Sequence, residues 1–459
     1  MRLAITAVAF SLLALCPTLA QETDVKPQTA QILADRIDRD GQGVAIATAL
    51  VEDGTPVFVS HGPLQAGSTD RVDEDTLFEI GSVSKIFTNL LLAQLVLDGA
   101  IDLDAPAINY LPEGTKLPQF EGKEITLFDL ATHSAGLPSI PPELAFANPA
   151  NPYQFYNADL LYAFLAAFPL PRAPGETYEY SNMGTTLIGE AVSHVTGQSY
   201  GDLVQQRILD PLGMDDTMLV VPEDKLSRFA TGHDPSREPV PHWDFDVFAP
   251  AGGWRSTASD MAKFVAAASG QTETNLKPAF DLMLERSRPA GSPNMEVGLG
   301  WMTLTRPDGG TTIWHNGQTA GFNAFIGYDR DTGRASVVLA NAVTRTGMED
   351  IGFHLIEPAS PLTSQPEPHV EIHIDPALLE NYVGTYELGP EFHIEITAEA
   401  GQLYVQASGQ DRFPAFPETE TRFFLKVVEA QVSFETGADG KASGLILHQN
   451  GQDVPGKRR

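Results

Sequence analysis

Residues 78–97 read FEIGSVSKIFTNLLLAQLVL. From Ile86 to Leu97 the stretch is mostly apolar and holds no Pro or Gly. That pattern predicts a helix buried in a core. Gly81 precedes it, and Ser82-Val83-Ser84-Lys85 opens it. Residues three apart on a helix share a face, so Ser82 at the N-terminus and Lys85 one turn on would be neighbours. A serine hydroxyl is a poor nucleophile until its proton is removed. A desolvated lysine amine can be neutral and take that proton, while the unpaired N–H groups of a helix N-terminus favour developing negative charge. S-x-x-K alone is a common tetrapeptide. A capped helix that happens to carry a lysine produces it too.

Outward from this stretch the chain is acidic, with 29 Lys and Arg against 60 Asp and Glu, a formal net charge of −31. Such a surface argues against nucleic acid or an anionic membrane as partner. The expected partner is a small-molecule or peptide substrate. Met1-Arg2, the apolar run Leu3 to Leu15 and the small-residue site Thr18-Leu19-Ala20 predict a signal peptide over residues 1–20. The apolar run is short for a membrane span, and no later segment reads as one. The single cysteine, Cys16, lies inside this leader, where bulky Leu15 fits a lipoprotein signal poorly. The mature chain is therefore expected to have no disulfide and to act in the periplasm or outside the cell.

Val44 to Val51 is β-rich, Asp53-Gly54 reads as a hairpin turn, and Pro56 to Val59 as the returning strand. A second pair is Phe322 to Tyr328 and Ala335 to Asn341 around the turn Asp329 to Gly333. Between these ends the predicted helices are Ser84–Leu97, Leu127–Thr132, Asp159–Phe168, Met183–Thr196 and Tyr200–Ile208. Thr257-Ala258-Ser259-Asp260 reads as a capping box before another, Met261–Ala268. Strands at both ends with helices between predict one α+β domain, an antiparallel sheet flanked by helices plus a mainly helical region. Pro358, Pro361, Pro366 and Pro368 punctuate a polar linker. Beyond it, alternation at Phe392, Ile394 and Ile396, at Leu403 and Val405, at Val432 and Phe434, and at Leu445 and Leu447 predicts a small all-β barrel. Its inner face reads as a filled core rather than a ligand cavity. The expected boundaries are 1–20 leader, 21–357 first domain, 358–370 linker and 371–459 barrel.

Two further segments suit a serine nucleophile. Tyr180-Ser181-Asn182 sits between a turn-rich stretch and the helix from Met183. Its phenol, beside a lysine ammonium, is expected to have a lowered pKa and to shuttle protons. Asn182 can donate to a substrate carbonyl and accept from Lys85. His315-Asn316-Gly317 follows apolar Thr312-Ile313-Trp314 and reads as a strand end. Gly317 lets a substrate approach the backbone there. Gly197-Gln198-Ser199-Tyr200-Gly201 matches the G-x-S-x-G elbow, but that elbow needs a strand before the serine. Here a helix precedes, so Ser199 reads as the cap of the next helix.

Taken in order, S-x-x-K, Y-x-N and H-x-G resemble the serine β-lactamase and penicillin-recognising family. Phe78 to Ser82, Thr132-His133-Ser134-Ala135-Gly136-Leu137-Pro138, Pro211-Leu212-Gly213-Met214 and Ala251-Gly252-Gly253-Trp254-Arg255-Ser256-Thr257 are similar to phrases of its class C branch. Tyr382 to Tyr386 resembles the lipocalin-like barrels appended to many such hydrolases. The resemblance implies that Ser82 is acylated, that Lys85 and Tyr180 handle its proton, and that Asn182 holds the substrate's acylamide side. It also implies an oxyanion hole from the N–H groups of Ser82 and Gln318, with His315 and Gly317 on the substrate-binding strand. No metal or other cofactor is expected, and His133 reads as structural. The family's β-lactamases usually carry K-T-G at the third motif, whereas His315 and Asn316 stand here. A largely neutral His and a missing hydroxyl weaken the case for anchoring a β-lactam carboxylate. The expectation is an amide or ester hydrolase, acting on D-amino-acid or non-standard peptides. The alternatives are a class C-like β-lactamase or D-Ala-D-Ala carboxypeptidase, a carboxylesterase, and a non-catalytic peptide or cell-wall binder.

Overall fold

Asp53 and Gly54 both adopt positive φ, 50° and 72°, as a two-residue hairpin turn requires. They join the strands Ile46–Glu52 and Thr55–His61, paired from Glu52↔Thr55 to Ile46↔His61. The computed structural model describes residues 25–144, 148, 150–344, 346–363, 369–389, 392–408, 412–426, 430–437, 440–449 and 452–459. The expected leader and part of the expected linker lie outside the described residues. The chain divides into two compact units between Pro361 and Leu362.

In the first unit eight antiparallel strands form one sheet. Their order is Thr55–His61, Ile46–Glu52, Ala335–Ala340, Asn323–Asp329, Thr311–Gln318, Met302–Thr305, Ser292–Val297 and Arg288–Ala290. The early hairpin thus docks on the late one, Ile46 opposite Ala340, as strands at both ends of the domain suggested. Helices cover both faces. Phe325 meets Phe353 of the helix Glu349–Ile356 on one side, at 5.0 Å between ring centroids. Ala324, Ile326, Val337 and Leu339 join the main helical core on the other. The strand Asn323–Asp329 is accordingly buried along its whole length.

The helix Ser84–Leu97 runs through that core with eleven of its residues buried, which is why its sequence is apolar on nearly every side. Phe87 packs edge-on against Phe264 and Trp254, at 4.9 and 5.9 Å. The helix Asn182–Thr196 starts one residue before the expected Met183. The Ser181 hydroxyl accepts from the Gly184 N–H at its start, and Gly197 ends it in the left-handed conformation. One expectation is revised here. Thr257 caps its helix through the Asp260 N–H, but the Asp260 carboxylate turns to the Asp216 N–H and the Thr217 hydroxyl instead of closing a box. A reciprocal capping box forms at Thr126 and Asp129.

The second unit is a closed barrel of eight antiparallel strands, from Gly384–Gly389 to Gln452–Arg458, sealed by Tyr386 opposite Arg458. Its inside is filled by side chains. Tyr382 and Phe434 stack at 4.4 Å, and the Tyr386 hydroxyl donates to the Tyr382 carbonyl at 2.7 Å. Among the described residues no helix is long and apolar enough to cross a membrane.

Candidate active site

Gly81-Ser82-Val83 forms a tight 3-10 turn that leads directly into the helix Ser84–Leu97. Ser82 therefore stands just outside the first α-helical turn, half-buried, with Lys85 beneath it and fully buried. The Lys85 Nζ has three neighbours: Ser82 Oγ at 3.0 Å, Asn182 Oδ1 at 2.6 Å and the Ala251 carbonyl at 2.7 Å. No carboxylate is among these partners. Burial holds the amine's pKa well below that of an ordinary lysine. A neutral amine has two N–H bonds and one lone pair. Asn182 Oδ1 and the Ala251 carbonyl can only accept, so they take the two N–H bonds. The lone pair is left for Ser82 Oγ, which can donate.

Tyr180 arrives from the loop before the helix Asn182–Thr196. Its phenol is close enough to the Ser82 side chain to interact with it, and its ring centroid lies 4.9 Å from Lys85 Nζ. The expected lowering of its pKa is not found. Burial pushes the phenol up, and its interaction with the Ser82 side chain offsets only part of that. The expectation assumed a full ammonium beside the ring, whereas the same burial disfavours charge on both groups. Tyr180 is thus a neutral phenol with a proton to give.

His133 sits behind Tyr180 in a left-handed conformation, φ 52°. The ring centroids are 4.5 Å apart, and its Nδ1 accepts from the Ser181 N–H at 3.2 Å. It orients the phenol and the residue after it, in keeping with a structural role. His315 is also buried, and its pKa is pushed down to about 4, first by burial and then by the nearby Lys85. It is neutral at physiological pH.

The third motif differs from its reading in one respect. His315-Asn316-Gly317 does not end a strand. The strand Thr311–Gln318 continues through it and pairs with its neighbour as far as Gln318↔Asn323. On its other side, however, pairing stops at Trp314↔Met302. The unpaired edge lies against the turn of the nucleophile. A Cβ on Gly317 would come 2.0 Å from the Ile80 carbonyl and 2.9 Å from the Ser82 N, and one on Gly81 would come 2.7 Å from the Gln318 N. Only glycine fits at both positions, and their absent side chains bring the backbones of Ser82 and Gln318 together. Asn316 points away from Ser82, its amide donating to Glu349 Oε1 at 2.6 Å.

Ser82, Asn182 and Gln318 line one cleft, which also includes Tyr153, Trp243, Phe245 and Phe248. No motif marks these four aromatic residues, although Trp243 to Phe248 holds three aromatic rings in six residues. Ser199 accepts from the Asp202 N–H at 3.2 Å and is a helix cap, as expected. Among the described residues no three His, Cys, Asp or Glu are grouped to hold a metal.

A family model described as Beta-lactamase matches residues 30–359. The chain belongs to the β-lactamase family. A second model, described as a domain of unknown function (DUF3471), matches residues 368–458. Among relatives, penicillin-binding protein 4* of Bacillus subtilis (strain 168) is 25% identical over 430 residues, covering 88% of this chain and 93% of that protein. The D-alanyl-D-alanine-carboxypeptidase/endopeptidase AmpH of Escherichia coli (strain K12) is 27% identical over 328 residues, 68% of this chain and 83% of that one. The octameric penicillin-binding protein homologue from Pyrococcus abyssi shares the fold, with a TM-score of 0.64 at 21% identity over 95% of this chain and 100% of that chain. The β-lactamase family comprises serine hydrolases, and this chain is a member of that class.

Proposed function

We propose that this β-lactamase-family protein cleaves an amide or ester bond through an acyl-enzyme on Ser82. The observation that carries the reading is the buried Lys85 amine 3.0 Å from Ser82 Oγ, with Asn182 Oδ1 and the Ala251 carbonyl placed to accept the two N–H bonds of its neutral form. Lys85 takes the Ser82 proton as Oγ bonds to the carbonyl carbon. The N–H groups of Ser82 and Gln318 hold the oxyanion. As the intermediate collapses, the bond to the leaving group breaks and Tyr180 gives its phenolic proton to the leaving atom. Lys85 then returns a proton to Tyr180, so the net transfer is from Ser82 to the leaving group. Water hydrolyses the ester and restores Ser82. Asn182 keeps its amide N–H free of Lys85 and offers it to the acyl side of the substrate.

A neutral His315 and an Asn316 turned to Glu349 offer no cation and no hydroxyl for a β-lactam carboxylate. This supports esters, D-aminoacyl or other non-standard peptides as substrates over penicillins and cephalosporins. The relatives that are named β-lactamase or D-Ala-D-Ala carboxypeptidase supply the second reading. A panel of nitrocefin, p-nitrophenyl acetate and butyrate, and D- and L-aminoacyl anilides separates the two. Turnover of esters or D-aminoacyl anilides well above nitrocefin is expected. Fast nitrocefin turnover with little else reverses the preference. We further assign residues 1–20 as an export leader and the periplasm or exterior as the site of action. We place the hydrolase domain at 21–357, a linker at 358–370 and the β domain at 371–459.

A further inference from the structure

The cleft at Ser82 has two unlike walls. Ser82, Asn182 and Gln318 form a polar one. Tyr153, Trp243 and Phe245 form the other, with Phe248 closing the back, and no ionisable acid, amine, guanidinium or imidazole lines the cleft among the described residues. The aromatic wall presents carbon. The Trp243 indole N–H is spent on the Ala150 carbonyl at 3.0 Å, and the Tyr153 hydroxyl lies 3.5 Å from Asn182 Nδ2. Tyr153 and Phe245 stack at 4.9 Å and 16°, with Tyr153 buried, so Phe245 and Trp243 offer the accessible ring surface.

The wall is also fixed before any substrate arrives. The Trp243 N–H donates to buried Glu79 at 2.9 Å, and Arg255 ties the Trp243 carbonyl to the same carboxylate. Asn151 and Asp244 bond to each other twice, at 2.9 Å each, joining the segment that carries Tyr153 to the one that carries Phe245. A preorganised apolar face binds without the cost of ordering itself. A charged group placed on it would lose hydration and gain no counter-ion. Trp243 stands at 65° to Tyr153 and 63° to Phe245, so the wall is a corner of two ring planes, open on its other sides, and not the closed cage that favours a cation.

We propose that this wall makes the enzyme selective for substrates whose acyl portion carries an uncharged aromatic group, such as an arylacetyl ester or amide. The inference rests on the hydrolase reading above and names the substrate class of that same site. Aromatic stacking adds about 0.5–1.5 kcal/mol beyond area burial, a factor of about two to ten in kcat/KM, and burial of the ring itself adds to it.

The test compares kcat/KM for p-nitrophenyl phenylacetate, acetate, hemiglutarate and trimethylammoniobutyrate in the full chain. Phenylacetate is expected to exceed the others by about tenfold. Phe245→Leu and Trp243→Leu should each lower the phenylacetate-to-acetate ratio several-fold, with Phe245→Tyr restoring it and thermal melting confirming the fold. A preference for acetate or for either charged ester, or a ratio indifferent to both leucine variants, overturns the proposal. Labelling by a fluorophosphonate separates the two claims. A protein labelled at Ser82 without the aromatic preference loses only the substrate class, whereas one left unlabelled there loses the hydrolase reading and the substrate class with it.

Discussion

Ser82 and Ser433 each have a basic partner at hydrogen-bond distance, and only Ser82 has the surroundings of a nucleophile. In the barrel, Ser433 Oγ lies 2.7 Å from His448 Nε2, and His448 Nδ1 lies 2.5 Å from Asp453 Oδ1. By distance alone this is a serine-histidine-aspartate relay. Yet Ser433 projects from the outer face of a strand paired on both sides, opposite Arg422 and Ile446. Its backbone is committed to the ladder, and Asp453 is 73% exposed. At Ser82 the base is fully buried, the strand edge next to it is unpaired, and two glycines bring a second backbone to the nucleophile. Catalytic power comes from a desolvated base and donors aimed at an oxyanion, and a chain of short hydrogen bonds on a wet surface supplies neither.

The contrast is broken most sharply by Ser82→Ala, which is expected to lower ester hydrolysis by about 10^4-fold or more. Ser433→Ala should leave the rate within experimental error. Equal losses in the two variants, read by steady-state kinetics, erase the distinction. Lys85→Met removes the base, for an expected loss of about 10^2–10^4-fold in kcat. Gly317→Ala forces a methyl group onto the Ile80 carbonyl, and its activity should fall by about 100-fold as the strand edge is pushed from Ser82. Unchanged turnover in that variant would mean that the contact between the two backbones has no bearing on catalysis.

The pH dependence follows the same division. Lys85 must be neutral, so activity rises with pH through its lowered pKa. Tyr180 must keep its proton, so activity falls only at pH above the ordinary tyrosine range. Stability has its own term. The folded pKa of His315, about 4, lies below the usual 6.5, so between these values the unfolded chain binds more protons. Stability therefore rises with pH across this window and is lost as pH falls from about 6.5 to 4, by on the order of 3 kcal/mol for this residue. Urea unfolding of wild type and His315→Asn at pH 7 and pH 4.5 checks it, with the pH-sensitive difference expected to shrink in the variant. The smallest effect is Ser199→Ala, a lost helix cap worth about 1 kcal/mol with activity retained.

Much of this was legible in the chain. The buried helix after Ser82 announced itself because burial on all sides needs apolar residues on all sides, and the Asp53-Gly54 hairpin because its dihedrals need those residue types. The edge strand Arg288–Ala290 and its neighbour Ser292–Val297 carry no such signal. Ser292, Pro293 and Asn294 are exposed and polar, and their strand conformation comes from pairing with residues further along. Ser82, Lys85, Tyr180 and Asn182 could be named from motifs, but the sign of the Tyr180 shift depended on burial, which spacing does not encode. The aromatic wall was missed for a similar reason. Tyr153 and Phe245 are 92 positions apart in the sequence, and only the fold stacks them.

Peptide mapping by mass spectrometry after brief exposure to a fluorophosphonate addresses the nucleophile itself. The covalent adduct should fall on the peptide containing Ser82, form faster as pH rises through the lysine's lowered pKa, and vanish in Ser82→Ala. An adduct on Ser199 or Ser433, or a protein that stays unmodified with its fold intact, would show that the buried amine does not activate Ser82.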